Sequence, residues 1–380
     1  MRRSLAPALL AVYLTAGCEE PAPPPQQAPE ERAPVEAPAV QDAPAPPDVP
    51  AALPACRLDT PIALAAAWPT ARTVALARAD DGVRAAVADG TSARVLVLDA
   101  AGHAQGAPSE VALAGDLLAL EPLPGGDALV LARGSCAEAA HCVLARRALA
   151  GEPIAASLPG ELTTTRRART GERLYLAWSA AGGHRGIDMF LVGGGLGRVR
   201  RALGPEPADA ELPAEVLGLV ADGERWAAVH RRGAGEDTRA RVWLTTETRH
   251  VSVEALHDAL VVEAIAFEGA RVALVAGFEM SRPQHFLLEP GSAEPLEASP
   301  LAPGEVPPRF ADRARGTLAI DEAGVHLERA DAAGDPLGPR QTVVEGRVRG
   351  AALVRDGARF LVAWLDDAGA LAARWADCAR

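Results

Sequence analysis

The sequence predicts an all-β fold, a seven-bladed β-propeller built from four-stranded blades. Three observations favour this fold. A turn glycine followed by a β-rich run recurs seven times, and no stretch shows a long helical period free of Gly and Pro. About 325 residues follow Cys56. This is longer than a domain with a single hydrophobic core usually is, whereas a closed array of repeats accommodates this length.

The repeat is most visible in its turn glycines, each of which precedes an apolar, strand-like run. They are Gly82, Gly126, Gly171, Gly223, Gly269, Gly316 and Gly357, separated by 44, 45, 52, 46, 47 and 41 residues. Units of about 46 residues have the length of a propeller blade.

The seventh unit contains only three predicted strands before the chain stops: AALVRD, RFLVAWLD and ALAARWAD. Residues 56–66, CRLDTPIALAA, resemble the outer strands of other units. We therefore predict that this N-terminal strand completes the last blade and closes the ring. Closure leaves only short, protected sheet edges. A tandem of β-sandwiches is the alternative, because it too would show a turn about every dozen residues.

Two predicted innermost strands are rich in arginine: TTTRRART (163–170) in the third unit and RFADRARG (309–316) in the sixth. Inner strands line the central channel of a propeller. The candidate anion-binding residues are therefore Arg167, Arg169, Arg313 and Arg315, which would suit an anion such as a carboxylated glycan. The alternative is that these arginines are solvated or paired with acids of adjacent blades.

The first residues have the layout of a secretory signal: Arg2 and Arg3, an apolar run from Leu5 to Leu14, and small residues up to Cys18. The stretch Leu14-Thr15-Ala16-Gly17-Cys18 resembles the lipobox of bacterial lipoproteins, with Thr15 where that pattern has Leu. The resemblance implies removal of residues 1–17 and lipidation of Cys18. With Glu19 following the cysteine, it also implies sorting to the outer membrane of a Gram-negative bacterium. An ordinary secreted protein is the alternative.

The segment between the lipidation site and the repeats is predicted to be a disordered tether. Residues 18–54 are proline-rich, contain almost no large apolar residue and hold seven acids against one arginine. Such a composition cannot bury enough surface to offset its ordering entropy and favours polyproline II. The remaining residues, 55–380, form the predicted propeller domain.

An exported chain meets an oxidising compartment, so the four cysteines other than Cys18 are expected to form disulfides. Of the three connectivities, ring closure favours Cys56 with Cys378, because it makes their strands neighbours. Cys136 with Cys142 would then pin a hairpin within one blade. His141 and Glu138 beside this hairpin are weak metal candidates, since two further ligands are not evident.

Motifs for catalysis, metals and cofactors do not stand out. The eight histidines are scattered, and HExxH, GxSxG, phosphate-loop and calcium-loop patterns are missing. We therefore assign no metal and no cofactor. The net charge of −12 makes nucleic-acid binding a poor expectation.

In plan and repeat, the chain resembles bacterial propeller lipoproteins that serve as interaction scaffolds. This resemblance implies a monomeric, membrane-tethered, non-catalytic module of the cell envelope that binds a protein or a glycan. The alternative is a glycan hydrolase or lyase whose site lies at the channel mouth, built from loops of different blades.

Overall fold

The computed structural model describes residues 54–149, 151–193, 200–203, 214–233, 241–279, 281–301, 315–331 and 336–378. The chain divides into two units, Met1–Val49 and Pro50–Arg380. The first unit, with the predicted signal, Cys18 and most of the tether, lies outside the described residues. No helix in the described part has the length and apolar character of a membrane span.

The described chain forms seven antiparallel sheets, each built from strands that follow one another in sequence, apart from the N-terminal pair. The N-terminal strands are β1 (Arg57–Leu58) and β2 (Ile62–Ala65). Blades 1 and 2 comprise β3 (Thr73–Ala79), β4 (Gly82–Ala88), β5 (Ser92–Leu98) and β6 (Ser109–Ala112), then β7 (Gly115–Pro122), β8 (Ala128–Cys136), β9 (Ala139–Arg147) and β10 (Ile154–Ser157). Blades 3 and 4 comprise β11 (Leu162–Thr170), β12 (Arg173–Ala180), β13 (His184–Leu191) and β14 (Arg200–Leu203), then β15 (Ala214–Asp222), β16 (Arg225–Arg232), β17 (Arg241–Thr246) and β18 (His250–Ser252).

The remaining blades follow in the same order along the chain. Blade 5 comprises β19 (Ala259–Glu268), β20 (Arg271–Phe278), β21 (Ser281–Leu288) and β22 (Glu297–Pro300). Blade 6 comprises β23 (Arg315–Asp321), β24 (Gly324–Ala330) and β25 (Gln341–Glu345), and blade 7 comprises β26 (Val348–Asp356), β27 (Arg359–Asp366) and β28 (Leu371–Asp377). Two 3-10 turns, Pro124–Gly126 and Glu254–Leu256, lie in the connections between β7 and β8 and between β18 and β19.

In five of the seven blades, the second strand is buried along most of its length. All seven residues of β4 are buried, and β12, β16, β20 and β27 are buried over five to seven consecutive positions. These strands read as continuous apolar runs because neighbouring blades cover both of their faces. The first strands are only partly buried and contact the first strands of neighbouring blades, which places them around the central channel.

The ring closes as the sequence predicts. Strand β1 pairs with β28 through Leu58 and Ala376, and β2 continues the same edge through Ile62 and Ala373. The N-terminus therefore supplies the outer strand of blade 7, and the seven-bladed propeller is confirmed. The tandem β-sandwich is wrong, because the last sheet is completed by the first strands of the domain.

Both predicted cysteine pairs lie at disulfide distance. Cys56 and Cys378 join the start of β1 to the end of β28 across a sequence separation of 322 residues. Cys136 and Cys142 join the β8–β9 hairpin of blade 2, with a separation of 6. Gln341 of blade 6 adds a second hold on the N-terminal strand: its side chain accepts from the Cys56 amide at 2.8 Å and donates to the Cys56 carbonyl at 2.7 Å.

The core is divided among the junctions between blades. Hydrophobic clusters join blade 7 to 1, 1 to 2, 2 to 3, 3 to 4, 4 to 5 and 6 to 7. A further cluster, which includes Val275 and Leu301, lies on blade 5 alone. Residues 302–314, which connect blade 5 to blade 6 along the chain, are outside the described residues.

The sixth unit differs from the sequence prediction. Gly316 was predicted as its turn glycine, but it lies within β23, paired with Arg329. The turn glycine is Gly324, whose φ of 147° matches the 144° of Gly82 in blade 1. A Cβ at either glycine would collide with a carbonyl oxygen of the third strand. Accordingly β23 is the first strand of this blade. Of the predicted strand RFADRARG, only Arg315 and Gly316 lie within the described residues, and both belong to β23.

This correction also changes the spacing of the repeat. Gly324 follows Gly269 by 55 residues and precedes Gly357 by only 33. In the described residues blade 6 has three strands, and β26 of the next blade begins three residues after β25 ends. The short interval leaves no room for a fourth strand between them.

Candidate functional site

A cavity of about 930 Å³ opens at one mouth of the central channel. It lies where the first strands of blades 1, 2, 3 and 7 run into their first turns. Its lining combines apolar residues such as Leu120 and Leu353 with charged side chains. Because four blades contribute, the site exists only in the assembled ring.

Arg167 and Arg169, the two predicted anion-binding residues of the third blade, both line this cavity. They are two positions apart on β11, so their side chains point to the same side of the strand. Arg166, the residue before Arg167, points the other way and donates to the Leu217 carbonyl of blade 4 at 3.2 Å. The alternation of the strand thus separates the channel arginines from the others in the run.

Arg167 is paired across a blade junction. Its Nε lies 2.8 Å from Oε1 of Glu121, on the first strand of blade 2. The Glu121 side chain is only 15% exposed, whereas that of Arg167 is 35% exposed. Burial raises the pKa of Glu121, and the charges of Arg167 and Arg169 oppose this rise. The pairing of arginines with acids of adjacent blades is therefore realised at this position.

Arg169 is held differently, by backbone carbonyls. Its guanidinium donates to the carbonyls of Pro122 and Gly171. Within the described part of the chain, no carboxylate lies within ion-pair distance of Arg169. Its side chain lines the cavity, and its charge acts on Glu121 without a direct ion pair.

Two further arginines that sequence reasoning missed line the same cavity. Arg78 of β3 pairs with Asp356 at 3.1 Å and donates to the Gly82 carbonyl at 2.9 Å. Arg355 of β26 donates to the Gly357 carbonyl at 2.6 Å. Each occupies the same place on its first strand, just before the turn, as Arg169 does on β11. That position, compared across units, is the sequence signal that could have found them.

The predicted arginines of blade 6 contribute nothing to this description. Arg313 lies outside the described residues. Arg315 is the first residue of β23, where the structure describes its backbone only.

The acids at the cavity are Asp80, Asp81 and Glu121. Asp81 accepts from Nη2 of the fully buried Arg84 with both carboxylate oxygens, at 2.8 Å each. This hydrogen bond lowers the pKa of Asp81. Among the described lining residues there is no histidine, so a convergence of acids with a histidine, which would favour the enzyme hypothesis, is not found there.

A second polar cluster lies buried between blades 3 and 4, and sequence spacing gave no sign of it. Arg185 donates to Nε2 of His250 at 2.9 Å, so Nδ1 of His250 carries the proton and donates to the Thr245 hydroxyl at 2.6 Å. The His250 ring stacks on Trp243 with centroids 4.5 Å apart. The fully buried His230 has its pKa lowered to about 3, by burial first and then by the positive charge of Arg185.

This cluster contributes to the packing between blades 3 and 4, and His230 within it does not exchange protons with solvent. His230 stays neutral at physiological pH because a charge there would be buried beside the Arg185 guanidinium. Trp178 likewise donates to buried Asp188 at 2.8 Å within blade 3. Arg185, His230, Trp178 and Asp188 are buried, whereas Trp243 and His250 are partly exposed. We take the channel mouth, whose charged lining is open to solvent, as the candidate site.

No protein-family profile and no curated protein matches the sequence. Among solved structures, a chain in the crystal structure of the mitotic checkpoint complex is similar, with 12% identity and a TM-score of 0.40. The match covers 90% of this chain and 98% of that chain. The assignment of the fold rests on the strand pairing and ring closure described above.

Proposed function

We propose that this protein is a lipid-anchored module of the cell envelope whose propeller binds a partner without catalysing a reaction. The observation that carries the proposal is the ring clasped by Cys56 and Cys378, which starts directly after a proline-rich segment and a lipobox-like signal. A rigid, disulfide-closed ring on a long spacer suits binding away from a membrane surface.

The channel mouth supports a binding role over a catalytic one. Glycan hydrolysis commonly needs one carboxyl that gives up a proton and a second that acts as base or nucleophile. Here Glu121 is paired with Arg167, and Asp81 is held by two hydrogen bonds from Arg84. Both carboxyls therefore have a structural partner, and the lining favours recognition of a ligand.

The test of anchoring is the chemistry of the mature N-terminus. The full chain, with its signal, is expressed in a Gram-negative host and recovered from isolated membranes. Mass spectrometry should find an acylated N-terminal Cys18, and the protein should sediment with the outer membrane. Cys18→Ala is the matched control and should lose both the acyl mass and the membrane association. A wild-type protein that matures at another residue without acylation would refute the anchor.

The test of a non-catalytic role is incubation of the purified full chain with envelope glycans. We expect no new reducing or unsaturated ends over the untreated glycan. Cleavage that disappears in Glu121→Gln would overturn the non-catalytic assignment and place the acid at the channel mouth.

A further inference from the structure

Most charged side chains at the channel mouth have partners within the protein. On the side formed by blades 7 and 1, Arg78 pairs with Asp356 at 3.1 Å, and Asp81 pairs with the buried Arg84 at 2.8 Å. Arg355 on the same side is engaged by a backbone carbonyl and by a further contact. These side chains therefore have partners of their own, so recognition of a ligand falls to the charged groups that remain.

Two charged lining residues, Asp80 and Arg169, have no ion pair in the described part of the chain. Asp80 directly follows β3 of blade 1, and its side chain is exposed. Arg169 lies on β11 of blade 3 and donates to the carbonyls of Pro122 and Gly171. Because a carbonyl carries no formal charge, the lining contains one carboxylate and one guanidinium without a directly paired opposite charge.

These two groups lie on either side of blade 2. The hydrophobic clusters that join blade 1 to blade 2 and blade 2 to blade 3 place blade 2 between them. Blade 2 contributes Glu121 to the lining, and this carboxylate is already paired with Arg167 at 2.8 Å. The charges of the two groups are opposite and equal, so they favour a ligand that carries both signs at separate points.

We propose that this cavity binds a short peptide with free termini, its carboxylate on Arg169 and its ammonium on Asp80. A guanidinium matches a carboxylate with parallel N–H donors, and an aspartate accepts from an ammonium. The half-buried Leu353 and Val354 of blade 7 offer apolar lining to the side chains between the termini. The cavity volume of about 930 Å³ lies in the range of small-ligand sites.

The placement of the two charges favours a peptide over a single amino acid. An amino acid carries its ammonium and carboxylate on one carbon atom, whereas an extended chain spans roughly 3.3 Å per residue. A peptide of about two to four residues therefore suits charges on either side of a blade. The inference rests on the proposed binding role and names the ligand class for it.

Titration calorimetry on the detergent-solubilised full chain tests this proposal. The probes are the tripeptide Ala-Leu-Ala with free termini, its N-acetyl form, its C-terminal amide and free leucine. We expect the free tripeptide to bind most tightly. Each blocked form loses one charged contact and should bind about threefold to tenfold more weakly. Leucine should also bind more weakly than the tripeptide, because it reaches only one of the two charges.

Variants of the two charges show which terminus each residue binds. Asp80→Asn should weaken binding of the free tripeptide, and acetylation should then have no further effect, because the ammonium has already lost its partner. Arg169→Gln should in the same way abolish the effect of the C-terminal amide. The matched controls are Asp367→Asn, at the exposed turn at the opposite end of blade 7, and Arg166→Gln, on the other side of β11. Both should bind like the wild type, and near-ultraviolet circular dichroism verifies the fold of each variant.

Three results would overturn the proposal. They are no binding of the free tripeptide by the wild type, leucine binding as tight as that of the tripeptide, and an effect of acetylation in Asp80→Asn as large as in the wild type. We expect Cys18→Ala to bind the tripeptide like the wild type in detergent solution. Failure of the lipid anchor and failure of the peptide site are therefore observed independently.

Discussion

Of the two disulfides, Cys56–Cys378 should contribute more to the free energy of unfolding. In the chain-entropy treatment, a cross-link stabilises by reducing the freedom of the unfolded chain, and the effect grows with the logarithm of the loop. For the separation of 322 residues this gives about 5–6 kcal/mol. For the separation of 6 between Cys136 and Cys142 it gives about 2 kcal/mol.

The assay is urea unfolding of the full chain with either cysteine pair replaced by alanine, under non-reducing conditions. Removing Cys56 and Cys378 together should lower the free energy of unfolding by about 3–4 kcal/mol more than removing Cys136 and Cys142 together. The second double variant is thus the matched control for loss of a disulfide as such. Equal losses in the two double variants, or a smaller loss for the ring pair, would refute the reasoning.

Two other predictions concern a turn and an acid. Gly82→Ala should lower the free energy of unfolding by ~3 kcal/mol or more, because the new Cβ would lie 2.1 Å from the Leu98 carbonyl oxygen at a φ of 144°. Gly106 has a φ of 76° and open space around it, so Gly106→Ala should lower this free energy by only about 1 kcal/mol. Thermal melting compares the two, and equal losses would contradict the steric argument. The hydrogen bond from His326 lowers the pKa of Asp321 to about 2, so the stability that Asp321 contributes is complete above an ordinary carboxyl pKa near 4 and is lost as the pH falls toward 2. Between pH 4 and pH 2, the urea midpoint of the wild type should therefore fall more steeply with pH than the midpoint of Asp321→Asn. Parallel plots of midpoint against pH would show that the interaction of Asp321 with His326 does not contribute to folding stability.

Much of the fold could be predicted from the sequence because its signals are local. A turn glycine followed by a buried second strand repeats along the chain, and the seven blades follow from it. The incomplete seventh unit and the strand-like residues 56–66 predicted ring closure, and closure in turn predicted the pairing of Cys56 with Cys378. Each of these steps uses neighbours in sequence or a missing strand that only one segment could supply.

The sixth unit shows where local signals are insufficient. RARG, ending at Gly316, and DEAG, ending at Gly324, both read as a polar turn before an apolar run. Which glycine begins the second strand depends on pairing with a third strand, where Val344 presents its carbonyl to Gly324. That partner lies 20 residues further along the chain, so the turn was misplaced by one strand.

The sequence by itself predicted the repeat, the closing strand and the pairing of the cysteines, and it offered Arg167 and Arg169 as candidates for the channel. Only the tertiary structure decided their electrostatic state, since the carboxylate beside Arg167 and the carbonyls beside Arg169 come mainly from blade 2. It also added Arg78 and Arg355 to the same cavity and buried His230 beside Arg185. The physical reason is that charge pairing and burial depend on groups brought together by the ring, while strand period and turn chemistry depend on the residues next to one another in the chain.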